Sequence, residues 1–134
     1  KGLIGEEGTV IAWFAEFEKG CNKEMGEREE RFREFYQDIN DRMYDLMDVF
    51  KNGYYAHKAF QASASLKYVL PVMAPELSYK ELDIQEGGTA SNRWGRIVGG
   101  EADGQEKQQI RQDLLKYCQL DTWAMVRILE ELRK

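Results

Sequence analysis

The chain has 134 residues, 43% hydrophobic and 32% charged, with a net charge of -5 and two cysteines. That length suits one domain, or part of one, able to bury a modest core without disulfides or zinc, and Cys21 and Cys118 are too far apart for a CxxC pair, so a reducing compartment is the default. The acidic balance excludes a protein that holds nucleic acid mainly through Lys and Arg, though not a nuclease built on clustered carboxylates and divalent ions.

The first residues, Lys-Gly-Leu-Ile-Gly-Glu-Glu-Gly, lack the apolar stretch of a signal peptide. Gly8 to Phe14 is a β-branched and aromatic run that opens on glycine and predicts a buried strand, the only good one. A strand this near the start, with no initiator Met, reads as a chain excised from something longer. Glu16 to Glu30 is helix-compatible but carries Gly20 and Gly26, which predicts a short helix and then a break.

From Glu30 to Phe50 the residues Phe32, Phe35, Tyr36, Ile39, Met43, Leu46, Met47 and Phe50 recur at helical spacing and predict one amphipathic helix, stopped by Asn52-Gly53. Asp38, Asp41, Asp45 and Asp48 fall on its opposite face, an acidic ridge read as solvated surface, with Asp45 and Asp48 as outside candidates for extra ligands. His57, the only histidine, lies in a predicted loop between Tyr54 and Ala62 and reads as a surface residue.

Ser63 or Ser65 is placed to cap a short helix, Leu66 to Met73, that ends in the Pro71 and Pro75 region. Lys67 on that helix is a candidate contact to a nucleic-acid backbone, against the simpler reading of a solvated lysine. Ser78 to Leu82 suggests a helical turn. Thr89 is placed to cap a helix that stops at Gly99-Gly100, and Gly87-Gly88 before it reads as a turn more simply than as a phosphate cradle. Gln105 to Lys134 is helical throughout, with a bend expected near Cys118 to Asp121. No apolar run approaches the roughly 18 residues that span a bilayer, so a cytoplasmic protein without membrane contact is expected.

On this last helix Leu114, Cys118, Met125, Ile128, Leu129 and Leu132 form one stripe, with Asp121 inside it and Tyr117 beside it. Two readings of Asp121 stay open on spacing alone. It caps a second helical segment through the amides of Trp123 or Ala124, or it aims a carboxylate inward at a metal site.

Tyr117-Cys-Gln-Leu-Asp121 resembles the Tyr-x-x-x-Asp third motif of the tyrosine-type DnaQ-like exonucleases. The blocks Ser65-Leu-Lys-Tyr-Val-Leu-Pro71, Leu77-Ser-Tyr-Lys-Glu-Leu82, Gln85-Glu-Gly-Gly88, Asp113-Leu-Leu-Lys-Tyr-Cys118 and Asp121-Thr-Trp-Ala-Met-Val126 extend this into a resemblance to an uncharacterised bacterial domain family of that superfamily, over nearly the whole chain. It implies an α/β fold of the RNase H type, of which this chain is the C-terminal part, mostly helical with one or two strands. It also implies a 3′-5′ exonuclease in which four carboxylates hold two Mg2+ or Mn2+ ions and act on DNA or RNA.

Under that resemblance Asp121 ligates a metal and Tyr117 orients the attacking water. Phe14-Ala-Glu-Phe17-Glu18 lies where the second motif, Asn-x-x-Phe and an acid, would stand; Phe17 and Glu18 match it, Phe14 replaces its Asn, and Glu18 is the implied second ligand. The first motif, Asp-x-Glu, has no counterpart, so two of the four carboxylates are absent and the chain alone is not expected to hydrolyse nucleic acid. The alternative is a non-catalytic structural or interaction module descended from such a nuclease. An incomplete sheet leaves an edge and apolar surface that a second copy or the missing part would cover.

Overall fold

The computed structural model describes residues 4–134. They divide into two compact units, one ending at Tyr68 and one running from Val69 to Lys134.

In the first unit, strand β1 (Val10–Ala12) leads into helix α1 (Ala15–Arg28), a 3-10 turn at Glu30–Phe32 and helix α2 (Arg33–Asp41), and strand β2 (Met43–Asp45) then returns beside β1. The pairing is parallel, Val10 with Met43, Ile11 with Tyr44 and Ala12 with Asp45. Parallel strands need a long crossover, which α1 and α2 supply. A short helix α3 (Asp48–Lys51) and a 3-10 turn at Lys58–Phe60 complete the unit.

The single helix expected from Glu30 to Phe50 is therefore interrupted by a strand. Arg42 is the reason: its guanidinium holds Asp38 at 2.6 Å and donates to the carbonyls of Gly5 at 3.0 Å and Gly8 at 2.9 Å. Its own carbonyl accepts from the Val10 amide at 3.1 Å. The segment before β1 is thus fastened to the end of α2, and Met43–Asp45 exchange a helical turn for strand pairing, a tertiary override of local preference. Ile39, Leu46 and Phe50 are buried as the periodicity requires, although a strand now separates them.

The break expected inside α1 is absent. Gly26 is buried at the crossing with α2, where a Cβ would lie 3.3 Å from the Arg33 Cα, so its missing side chain permits close approach instead of ending the helix. Asn22 donates to Asn40 at 2.8 Å, and Asn40 donates to the Lys19 carbonyl at 3.1 Å, closing the same contact. Trp13, Phe50, Tyr55 and Phe60 form an aromatic cluster in the same unit. His57 is local structure, as read: its Nδ1 accepts the Ala59 amide at 3.2 Å and its ring packs on Phe60.

Helix α4 (Leu66–Met73) spans the boundary between the units, and α5 (Gly87–Val98) and α6 (Gly104–Leu132) build the second. Pro71 lies inside α4, where its missing amide costs one bond near the helix end. Ser78 to Leu82 is a turn and not a helix, held by Ser78 Oγ on the Lys80 amide and by the Leu82 amide on the Tyr79 carbonyl. Helix α5 starts at Gly87, which places Thr89 inside it and not at its cap. Asp103 caps α6 by accepting from the Glu106 amide at 2.9 Å.

Helix α6 runs through the segment where a bend was expected. Its buried residues are Ile110, Asp113, Ala124 and Ile128, and Val69, Leu70, Met73, Ala74 and Ile84 are buried in the same unit. Cys118, placed in the apolar stripe by the wheel, is exposed.

Candidate functional site

Because α6 is unbroken, Asp121 stands at mid-helix and does not cap a second segment. Its side chain meets the turn after α4, where the Tyr79 hydroxyl donates to Asp121 Oδ1 at 2.5 Å. Tyr79 and Tyr117 pack ring against ring, centroids 5.9 Å apart. Asp113, Tyr117 and Asp121 recur every fourth residue and so share one face of α6, and Asp113 is buried with one oxygen accepting from Gln109 at 2.9 Å. The Tyr117 hydroxyl reaches the start of α5, 3.9 Å from where a Cβ on Gly87 would lie.

Burial is the largest influence on all three members of this group. It raises the Asp121 carboxyl above its ordinary value, while the hydrogen bond from Tyr79 and the nearby Tyr117 hydroxyl pull the other way and do not cancel it. Burial also raises Tyr79, helped by its bond to Asp121. Tyr117 is pushed up to about 12 by burial and by the neighbouring Asp121 charge. Both phenols therefore keep their protons at neutral pH. Tyr117 is a donor that can orient a water or an oxyanion, and it is not a base.

Glu18 belongs to the first unit and is exposed on α1. The residues around it define the start of that helix. Phe14 precedes it with φ 66°, in the left-handed region, and stacks on Phe17, both rings being largely exposed. Asn tolerates that backbone region better than a bulky aromatic. Lys67 is exposed on α4.

The acidic ridge is corrected here, since the helix that defined it is broken. Asp45 lies on β2 and accepts from the Phe14 amide at 3.0 Å, the Ala15 amide at 2.8 Å and the Met47 amide at 3.0 Å. It supplies from a distance the N-terminal cap that Phe14 cannot. Asp38 is taken by Arg42.

Hard oxygen donors such as Asp121 and Glu18 suit Mg2+ or Mn2+ in kind, but a hard cation wants about six of them. Among the described residues no three His, Cys, Asp or Glu side chains lie together so as to hold a metal ion. By themselves these residues do not fit a two-ion site.

Tyr79 is the member that sequence reasoning missed. Its block, Leu77 to Leu82, stood out only as part of a resemblance, and nothing in a turn sequence says which helix a tyrosine will meet.

Residues 1–65 match the family described as a domain of unknown function, DUF2779. The chain is also 28% identical over 131 residues to an uncharacterised MG366 homologue of Mycoplasma pneumoniae, and 29% identical over 133 residues to uncharacterised MG366 of Mycoplasma genitalium. Each alignment takes in 90% of this chain and 20% of the relative, so the chain spans about a fifth of the length of these relatives. No solved structure matches it. Among the described residues no helix is long and apolar enough to cross a membrane.

Proposed function

We propose that this chain contributes part of a metal-dependent nuclease site of the DnaQ-like, 3′-5′ exonuclease kind on an RNase H-like fold, acting on DNA or RNA and inactive by itself. Its contribution is Tyr117 and Asp121 from α6, with the remaining carboxylates and the Mg2+ or Mn2+ ions completing the site in the whole protein. The observation that carries the reading is Asp121: a carboxylate at mid-helix, partly withdrawn from water, one turn from a protonated phenol on the same face. The parallel β1–β2 pair with its helical crossover is compatible with that fold class.

Tyr79 fixes the Asp121 carboxylate, and Tyr117 offers a hydroxyl proton beside it. Such a pair orients a water or a phosphate oxygen and holds its proton throughout.

A non-catalytic interaction module is the second reading, favoured by the short Tyr79–Asp121 bond, which already gives the carboxylate a partner. A digestion assay separates the two. In the full-length protein, Mg2+- or Mn2+-dependent shortening of a labelled oligonucleotide from its 3′ end should be abolished by Asp121→Asn and reduced by Tyr117→Phe. Unchanged cleavage in a folded Asp121→Asn protein overturns the nuclease reading, whereas robust digestion by this chain alone overturns only its being inactive by itself.

A further inference from the structure

The two strands of the first unit leave a sheet open. Val10 donates its amide to the Arg42 carbonyl at 3.1 Å and the Ala12 carbonyl accepts the Leu46 amide at 2.9 Å, so both residues turn their backbone toward β2. Backbone groups alternate along a strand, and the N–H and C=O of Ile11 between them therefore point to the opposite edge. Among the described residues no strand lies there. The two edges are not alike. β2 carries Asp45 and follows Arg42, and charged side chains on an edge discourage further pairing, whereas no residue from Gly8 to Ala15 is charged. Ala12 is buried and Val10 and Ile11 are half-buried, so neither face of β1 stands in open water. An uncharged, β-branched run covered on both faces is the pattern of an interior strand of a parallel sheet, and here it stands at an edge. Two strands of three residues are also fewer than a sheet needs to hold by itself.

We infer that the Ile11 edge of β1 is a docking site for a third strand, an uncharged β-branched segment from elsewhere in the same polypeptide, which pairs with the Ile11 N–H and C=O. The source follows from the relatives, in which the matched stretch is 20% of the length and most of the polypeptide lies outside it. A second copy fits less well, since two β1 edges meeting at Ile11 would share only the few bonds that three residues offer. At such an edge main-chain bonds supply the affinity and alternate side chains the specificity. The pairing is independent of whether the protein cleaves nucleic acid.

The test is amide hydrogen exchange in the full-length wild-type protein, read at single residues by mass spectrometry with electron-transfer fragmentation. By the same alternation Met43 turns its amide to the outer edge of β2, which makes it the internal reference. The Ile11 amide should exchange about a hundredfold more slowly than the Met43 amide. That ratio should persist when the protein is diluted about a hundredfold, because a strand from the same polypeptide does not dilute away. Equal exchange at Ile11 and Met43 overturns the docking site and leaves the nuclease reading standing. Protection of Ile11 that is lost on dilution overturns the source, since the partner would then be a second copy.

Discussion

Asp45 and Asp121 are the same side chain put to opposite uses. Asp45 accepts three backbone amides, two at the start of α1 and one at Met47, so both of its oxygens are committed to main chain that cannot move without unfolding the unit. Asp121 accepts from a side-chain hydroxyl, that of Tyr79, which a rotation can withdraw, and it does so where burial raises its carboxyl above its ordinary value. A carboxylate answered by three amides is tied to the backbone; one answered by a single phenol in a partly desolvated place is not.

The largest effect should come from breaking the Asp45 side of this contrast. Asp45→Ala leaves three amides without their acceptor and removes the cap of α1, and should cost about 3 kcal/mol by denaturant unfolding of the chain. Asp45→Asn, which keeps one acceptor oxygen, should cost about half as much. A loss no greater than that of an exposed surface substitution would show that Asp45 is not what starts the helix.

The Asp121 side predicts a pH dependence. Its folded pKa lies above the unfolded one, so the stability it contributes is fully present below the ordinary value of 3.8 and is lost as pH rises through the folded pKa. Asp121→Asn has no such slope. Thermal melts should therefore show the variant gaining on wild type as pH rises from about 4 to neutrality. A gap that is constant over that range would mean that burial does not penalise this charge.

The smallest effect concerns the helix that Asp45 caps. Gly20 faces open space, so Gly20→Ala should stabilise α1 by about 1 kcal/mol, whereas Gly26→Ala must push against the Arg33 backbone and should gain little or lose. Paired melting temperatures decide this, and equal gains would show that α1 and α2 are not in close contact at Gly26.

Much of the helical content was readable in the residues. The apolar spacing of Gln105 to Lys134 became α6, Asn52-Gly53 and Gly99-Gly100 stopped helices as their backbone freedom predicts, and Gly53 and Gly100 indeed carry positive φ. The misreadings share one cause. Met43–Asp45 looked helical because its apolar spacing is helical, and only Arg42, reaching back to Gly5 and Gly8, turned it into a strand. Gly26 looked like a breaker because propensity counts a glycine as a loss and does not record what packs against it. Asp45 looked like one of four solvated acids because its partners, the amides of Phe14 and Ala15, are thirty residues away in sequence.

The candidate site divides in the same way. Sequence by itself put Tyr117 and Asp121 on one face of one helix, because residues four apart share a helix face whatever surrounds them, and an acid in an apolar stripe is visible as a period. Only the tertiary structure decided that Asp121 is not a cap, that Tyr79 answers it and that Asp45 is spoken for. Those facts depend on which segments meet, and side-chain partners distant in the chain leave no period to read.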